Sequence, residues 1–172
     1  MNRKLSKIID KLLKNSENSL SLLAIEKFFN RGIPFNTPHD FKFLEISDKR
    51  TRLKLPFKKL NKNHLGGMHA CAIATLGEYP AGLTLIKRFG STKYRLIMSK
   101  LTGDYILQGR EDLIGQVEVG PSEFDEIEEK LKSEDIANIT ISTNILNTKE
   151  EIVAVIQTTW QLKNWNSVKF KN

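Results

Sequence analysis

The chain is poor in the residues that most often build disulfides and metal centres. It contains one cysteine, Cys71, and three histidines among 172 residues, which excludes an internal disulfide framework and leaves no ligand cluster for zinc. No apolar run reaches the roughly 18 residues of a membrane-spanning helix. The basic N-terminal segment alternates apolar and charged residues and so lacks the apolar core of a secretory signal. We therefore expect a cytoplasmic protein that requires no metal.

Charge is spread unevenly along a chain of ordinary globular composition. Hydrophobic residues make up 40% and charged residues 27%, and the net charge is +7, so the chain is long enough and apolar enough to bury a core. Residues 1–66 hold 15 basic against 6 acidic side chains, whereas residues 111–172 hold 6 against 12. The basic part could attract a nucleic acid, a membrane surface or a phosphorylated cofactor, or it could bind nothing.

Two amphipathic helices are predicted before any strand. Residues 3–14 repeat apolar positions at helical spacing, with lysines between them, and a second helix covers about 20–30. Gly32 suits the C-terminal cap of the second helix and Pro34 blocks its continuation. The first helix could pack on the domain's own core or lie on an anionic membrane, and its short apolar face favours the core.

The remaining pattern predicts six strands, one buried helix and one short acidic helix. Strands are expected at 41–46, 50–56, 94 to about 102, 113–119, 136–143 and 150–162, and the acidic helix at 124–132. A turn at Gly103-Asp104 is expected after the third strand. The order indicates an α+β protein in which a largely antiparallel sheet wraps around one central helix.

The segment from Asn63 to Gly82 carries the most chemical information. A loop with Gly66 and Gly67 leads into a helix of small apolar residues that contains one carboxylate, Glu78. An unpaired acid is costly to bury, so Glu78 requires either a partner, such as Lys87 or Arg88, or a chemical role. The free N–H groups at the start of the helix can stabilise an oxyanion.

The spacing of His69 and Glu78 restricts how they could form a site. Nine helical residues separate the two by about 13 Å along the axis and about half a turn around it. If two such helices lie antiparallel across a two-fold axis, Glu78 of one chain faces the loop of the other. Pro80 removes one backbone hydrogen bond and either kinks the helix near Glu78 or marks its end at Gly82.

The same stretch resembles the hotdog-fold acyl-CoA thioesterases, in particular the phenylacetyl-CoA thioesterase branch. That branch has an Asn, then a His-Gly-Gly six residues later, and an acid nine residues after the His, as Asn63, His69 and Glu78 are spaced here. The resemblance implies a hotdog fold over 33–172, with residues 1–32 as a helical extension. It also implies a homodimer and leaves open whether dimers pair into tetramers.

The resemblance implies a hydrolase that converts an acyl-CoA to a carboxylic acid and free coenzyme A without a cofactor of its own. Glu78 would activate water or, as the less favoured alternative, act as the nucleophile. N–H groups near His69 and Ala70 would hold the thioester oxygen, and His69 would help shape the loop. Asn63 would orient water or the carbonyl, unless it only caps the loop. The residues Gly66, Gly67, Ala70 and His64 would contact substrate.

Basic side chains around the site would contact the phosphates of coenzyme A. Charge-assisted hydrogen bonds hold anionic cofactors in place. Each candidate could equally be a solvated surface residue. The candidates are Arg52, Lys54, Lys58, Lys59, Lys62, Lys87, Arg88 and Lys93. The sequence departs from the family at Ala70 and Cys71, which replace two glycines. Their Cβ atoms narrow the space through which a thioester would approach the start of the helix. Cys71 is a poor nucleophile for His69 because two helical residues turn their side chains about 200° apart.

Two other functions remain open at the sequence level. A hotdog module could bind an acyl chain or acyl-CoA without hydrolysing it, and Ala70 and Cys71 favour that alternative. The basic half could instead bind nucleic acid, but the sequence contains no helix-turn-helix, zinc or RNA-recognition signature.

Overall fold

The computed structural model of the protein describes residues 3–168. The end of the predicted second domain, residue 172, lies outside this range. No helix within 3–168 is long and apolar enough to cross a membrane. The helices in chain order are α1 (Arg3–Lys14), α2 (Ser19–Gly32), α3 (Ala70–Phe89) and α4 (Pro121–Ser133).

Six strands form one antiparallel sheet. They are β1 (Lys42–Ile46), β2 (Arg50–Leu55), β3 (Tyr94–Tyr105), β4 (Leu113–Glu118), β5 (Ile136–Leu146) and β6 (Ile152–Asn164). Their order across the sheet is β1-β2-β4-β5-β6-β3, and every neighbouring pair is antiparallel. The predicted sheet around a central helix is therefore confirmed, because α3 packs against β2, β4, β5 and β6.

The strand pattern differs from the prediction in β3. The turn expected at Gly103-Asp104 is wrong, since both residues pair with β6 and β3 continues to Tyr105. A Cβ on Gly103 would lie 2.8 Å from the Ile156 side chain, so this glycine permits close packing within a strand. In β6 alternate residues from Ala154 to Leu162 are buried, whereas Ile152 is 41% exposed.

The central helix continues past its proline. Of the two alternatives for Pro80, the helix end at Gly82 is wrong, since α3 reaches Phe89 and its C-cap is Gly90, whose φ is 78°. Pro80 has no N–H to donate to the carbonyl of Leu76. That carbonyl faces β4, where a Cβ on Gly115 would lie 2.6 Å from the oxygen.

Glycines bring α3 close to the sheet on both sides of Glu78. A Cβ on Gly77 would overlap the Ile156 side chain of β6, and one on Gly82 would lie 3.2 Å from Trp160. The Gly77 carbonyl accepts a hydrogen bond of 2.7 Å from the buried Thr143 hydroxyl of β5. These glycines therefore permit the close approach of α3 to the sheet, and the Thr143 hydrogen bond holds the helix there.

Both N-terminal helices pack on the same core. For the first helix this is the arrangement that the sequence favours over membrane binding. Ile9 and Leu13 of α1 and Ile25 and Phe29 of α2 are buried together with side chains of α3 and the sheet. The carboxylate of Asp10 fastens α1 to the turn before β3. It accepts four hydrogen bonds of 2.6–3.0 Å from the main chains and hydroxyls of Ser91 and Thr92. Burial alone would raise the pKa of Asp10, but these hydrogen bonds outweigh it and lower the pKa.

We predict that Gly77→Ala destabilises the protein by about 1–3 kcal/mol, because the added methyl overlaps Ile156 in a filled core. Chemical denaturation measures the change in the free energy of unfolding. Gly32→Ala is the matched control, since no atom lies within 4 Å of a Cβ there, and it should be neutral or slightly stabilising. Ile156→Ala should partly relieve Gly77→Ala in a double-mutant cycle; strictly additive effects would contradict the proposed overlap.

Candidate functional site

Asn63 organises the glycine loop before α3. Its Oδ1 accepts hydrogen bonds from the N–H groups of Leu65, at 2.9 Å, and Gly67, at 3.1 Å. Gly66 has a φ of 78°, a conformation that favours glycine. A Cβ on Gly67 would lie 3.0 Å from the Gln108 side chain. The loop therefore depends on Asn63 and Gly66 for its shape, and Asn63 has the capping role that one alternative expected.

His69 caps the first turn of α3 with its side chain. Its Nδ1 accepts a hydrogen bond of 3.1 Å from the N–H of Cys71, so the proton of the neutral ring is on Nε2. The N–H of His69 donates to the Asn61 carbonyl at 2.8 Å and is not available to a ligand in this arrangement. Exposed His64 lies farther back in the loop.

The N–H of Ala70 is a free donor at the helix start. It has no acceptor among residues 3–168, and both Ala70 and Cys71 are exposed. The positive end of the helix dipole favours negative charge at this position. Tyr105 donates a hydrogen bond of 3.1 Å to the Ala70 carbonyl, so the end of β3 lies beside the first turn of α3.

Glu78 is a partly buried carboxylate without a partner. It forms no hydrogen bond or ion pair with any described residue, and burial raises the pKa of its carboxyl group. The alternative pairing with Lys87 or Arg88 is wrong. Lys87 pairs with Asp48 at 3.3 Å and Arg88 with Asp125 at 3.2 Å.

Glu78 lines a largely apolar cavity of about 260 Å³ between α2, α3 and the sheet. Its walls come from the last turn of α2, the segment before β1, the middle of α3, β3 and β6. The lining residues are Phe29, Ile33, Phe35, Asn36, Thr75, Glu78, Tyr79, Gly82, Leu83, Ile86, Leu96 and Trp160. An unpaired carboxylate at an apolar cavity is an arrangement suited to proton transfer on a bound ligand.

The structure does not bring all predicted site residues together. Asn63, Gly66, Gly67, His69 and Ala70 form one group at the start of α3, whereas Glu78 lies on another face of the helix about 13 Å further along. A single protomer therefore holds the two halves of the expected site apart. Sequence analysis overlooked Tyr79 and Asn36 in the cavity. Tyr79 could have been found from the sequence, because it is a large polar residue next to Glu78 in a helix of small residues.

The eight basic candidates fall into two groups. The first group begins within β2, at Arg52 and Lys54, and continues through Lys58, Lys59 and Lys62 towards the glycine loop. Lys87, Arg88 and Lys93 lie at the far end of α3, which is about 30 Å long. The latter group includes two paired side chains, of which Lys87 is only 9% exposed. Exposed Lys59 forms no ion pair with a described residue.

We predict that Glu78→Gln stabilises the protein at neutral pH. The unfolded carboxyl group loses its proton near pH 4.3, whereas the folded one keeps it to a higher pH. The free energy of unfolding therefore falls as pH rises between these two values, by about 1.4 kcal/mol for each unit of pKa difference.

Thermal unfolding of wild type and Glu78→Gln between about pH 4 and 8 measures this difference. The difference in melting temperature, variant minus wild type, should increase as pH rises. Glu126→Gln, on the exposed face of α4, is the control and should run parallel to wild type. If the melting temperature of Glu78→Gln instead differed from that of the wild type by the same amount at every pH, the wild-type Glu78 would not be an unpaired, partly buried carboxylate.

Comparisons with known proteins agree with this architecture. The structure superposes on a Pseudomonas aeruginosa protein of unknown function described as a probable thioesterase, with a TM-score of 0.75 and 20% identity over 83% of this chain and 95% of that one. A Staphylococcus aureus thioesterase variant matches with a TM-score of 0.62 and 16% identity, over 76% and 99% of the two chains.

A third similar structure is the Escherichia coli PaaI protein from the phenylacetic acid degradation operon. Its TM-score is 0.58 at 9% identity, over 78% of this chain and 87% of that one. Comparison with curated proteins finds no match. Residues 23–162 match the family described as a domain of unknown function, DUF4442. The chain therefore belongs to the DUF4442 family and has the hotdog fold of thioesterase-family proteins.

Proposed function

We propose that the protein is a thioester hydrolase that acts on acyl-CoA. The observation that carries the proposal is the carboxylate of Glu78, which is partly buried, unpaired and placed at an apolar cavity. The names of the similar proteins support it, since one of the three is called a thioesterase and another a probable thioesterase. Glu78 is the general base, and the apolar cavity receives the acyl group.

In the proposed reaction Glu78 takes a proton from water while the water oxygen attacks the thioester carbonyl. The carbonyl electrons move to its oxygen, and the N–H of Ala70 and the helix dipole stabilise that charge. Collapse of the intermediate breaks the carbon–sulfur bond. The thiolate takes the proton from Glu78, so that the products are a carboxylic acid and coenzyme A.

This chemistry requires two protomers, because one chain keeps Glu78 about 12 Å from Ala70 along the axis of α3. We infer a homodimer in which Glu78 of one protomer faces the α3 N-terminus of the other. The edge strand β3 pairs only with β6 among the described strands. Apolar side chains beside the start of α3 are exposed, among them Leu65 at 67%, Ile106 at 58% and Leu107 at 49%. Burial of that surface would stabilise the dimer.

We infer that Lys59 and Lys62 contact the phosphates of coenzyme A. Lys62 pairs with Met68 of the glycine loop through an isolated β-bridge, so both lysines flank the start of α3. Neither has a carboxylate partner among residues 3–168. The paired Lys87 and Arg88 are poorer candidates, because a phosphate would have to displace carboxylates that already neutralise them.

Glu78→Gln should lower kcat by about 10²–10⁴-fold, because the amide cannot accept the proton of water. The measurement is thiol release from a panel of acyl-CoAs, with Glu126→Gln as the control that retains wild-type rates. The wild-type rate should rise with pH through a pKa above the ordinary carboxyl value. Full activity of Glu78→Gln would exclude Glu78 as the base, and saturable binding without thiol release would favour the non-catalytic module.

Lys59→Glu should raise the KM for acyl-CoA about fivefold with kcat nearly unchanged, because the charge acts equally on ground and transition states. The difference should shrink at high ionic strength. Lys7→Glu on the exposed face of α1 is the matched charge reversal and should leave KM unchanged. Equal effects of the two reversals would show only a general response to net charge.

A further inference from the structure

Packing on the core uses only one edge of α1 and one edge of α2. Ile9 of α1 and Ile25 of α2 are buried in the same core, and the two helices contact each other. Two positions along a helix correspond to a rotation of about 200°. Lys11 and Lys27, each two positions after one of these isoleucines, therefore lie nearly opposite the buried edges. Because both helices cover one core, these opposite edges form one outer helical surface.

The outer helical surface contains aliphatic side chains that no described residue covers. Ile8 of α1 is 49% exposed, and Leu20 and Leu23 of α2 are 76% and 56% exposed. Leu20 and Leu23 are three positions apart and so are neighbours on the surface of α2. An apolar patch of this kind, bordered by polar residues, is typical of an interaction site.

Basic side chains border this apolar patch. Lys7 and Lys11 of α1 and Lys27 and Arg31 of α2 are exposed. None of the four forms an ion pair with a carboxylate among residues 3–168. Their charge is therefore available to an anionic partner.

The acidic residues of the two helices and their connection leave this positive charge uncompensated. Asp10 accepts hydrogen bonds from the turn before β3, and Glu26 pairs with Lys42 of β1 at 3.4 Å. Glu17 lies in the connection between the helices, 4.0 Å from the Nζ of Lys87. The outer helical surface thus combines exposed aliphatic groups with positive charge only.

A lipid surface with anionic headgroups fits this combination better than a nucleic acid or a second copy of the chain does. Nucleic-acid bases stack on aromatic side chains, and the exposed side chains described on α1 and α2 include none. Two copies of this surface across a two-fold axis would set basic residues against each other. Headgroup phosphates attract lysine and arginine, while aliphatic side chains enter the layer beneath them.

We propose that the outer helical surface binds the protein to anionic membranes. The two helices lie along the membrane surface, Ile8, Leu20 and Leu23 enter the headgroup layer, and the basic side chains contact lipid phosphates. Core packing and membrane binding are compatible, because they use opposite edges of the same helices. The binding is peripheral and reversible, and it does not depend on the proposed hydrolysis.

The test is co-sedimentation of the whole chain with vesicles of phosphatidylcholine, with and without about one-third phosphatidylserine. Affinity should be at least about tenfold higher for the anionic vesicles and should fall steeply between about 0.05 and 0.5 M salt. Equal affinity for the two kinds of vesicle, or no binding to either, would overturn the proposal.

Charge reversal on each helix tests the location of the surface. The double variant Lys11→Glu, Lys27→Glu should lose at least about tenfold in affinity for the anionic vesicles. The matched control is Lys130→Glu, Lys149→Glu, which has the same net charge but changes exposed lysines of α4 and the loop before β6. The control should retain most of the wild-type affinity; equal losses would show a response to net charge and overturn the assignment.

Replacement of the exposed leucine tests insertion into the membrane. Leu20→Ser should weaken binding severalfold, whereas Leu60→Ser, at a leucine that is 70% exposed outside the two helices, should not. Both variants should keep the wild-type melting temperature because both side chains are exposed. In Leu20→Trp, but not in Leu60→Trp, anionic vesicles should shift tryptophan emission to shorter wavelength.

Short duplex DNA distinguishes a lipid surface from a general polyanion. Wild-type protein should bind anionic vesicles more tightly than DNA of equal charge concentration, and Leu20→Ser should remove that preference. DNA binding as tight as vesicle binding, with Leu20→Ser and Leu20→Trp showing no effect of the apolar patch, would replace the membrane with a nucleic acid as the partner.

Discussion

Burial of α3 inside the curved sheet requires its backbone to approach the strands more closely than ordinary side chains permit. Gly77 opposes Ile156, Gly82 opposes Trp160, and Gly115 on β4 faces the Leu76 carbonyl. These contacts fix both the depth and the rotation of the helix. Because the core has close to crystalline packing density, a helix held in this way cannot rotate to carry Glu78 into the sheet.

The rotation of α3 determines which residues are available for chemistry. Glu78 is one residue, or about 100°, from Gly77, and so it lies beside the contact face at the cavity closed by α2. The start of the same helix is exposed next to the end of β3. One rigid element thus presents an unpaired carboxylate and a free backbone N–H to different surroundings, and the proposed dimer is the geometry that would unite them.

Local patterns in the sequence predicted most of the architecture, because strand alternation and helical spacing directly record which face is buried. They failed at Pro80 and Gly103, where tertiary packing supports a helix through a proline and a strand through a glycine. The loop that Asn63 organises could be predicted from its neighbours. The cavity could not, since Asn36 and Tyr79 are 43 positions apart and only the folded core brings them together.

The hydrogen bonds of Asp10 have a consequence for how the chain is made. They join α1 to residues 81 and 82 positions later, and the buried side chains Ile9 and Leu13 depend on the same long-range docking. During translation α1 therefore cannot reach its final position until α3 and the following turn have been synthesised. Such distant contacts slow folding.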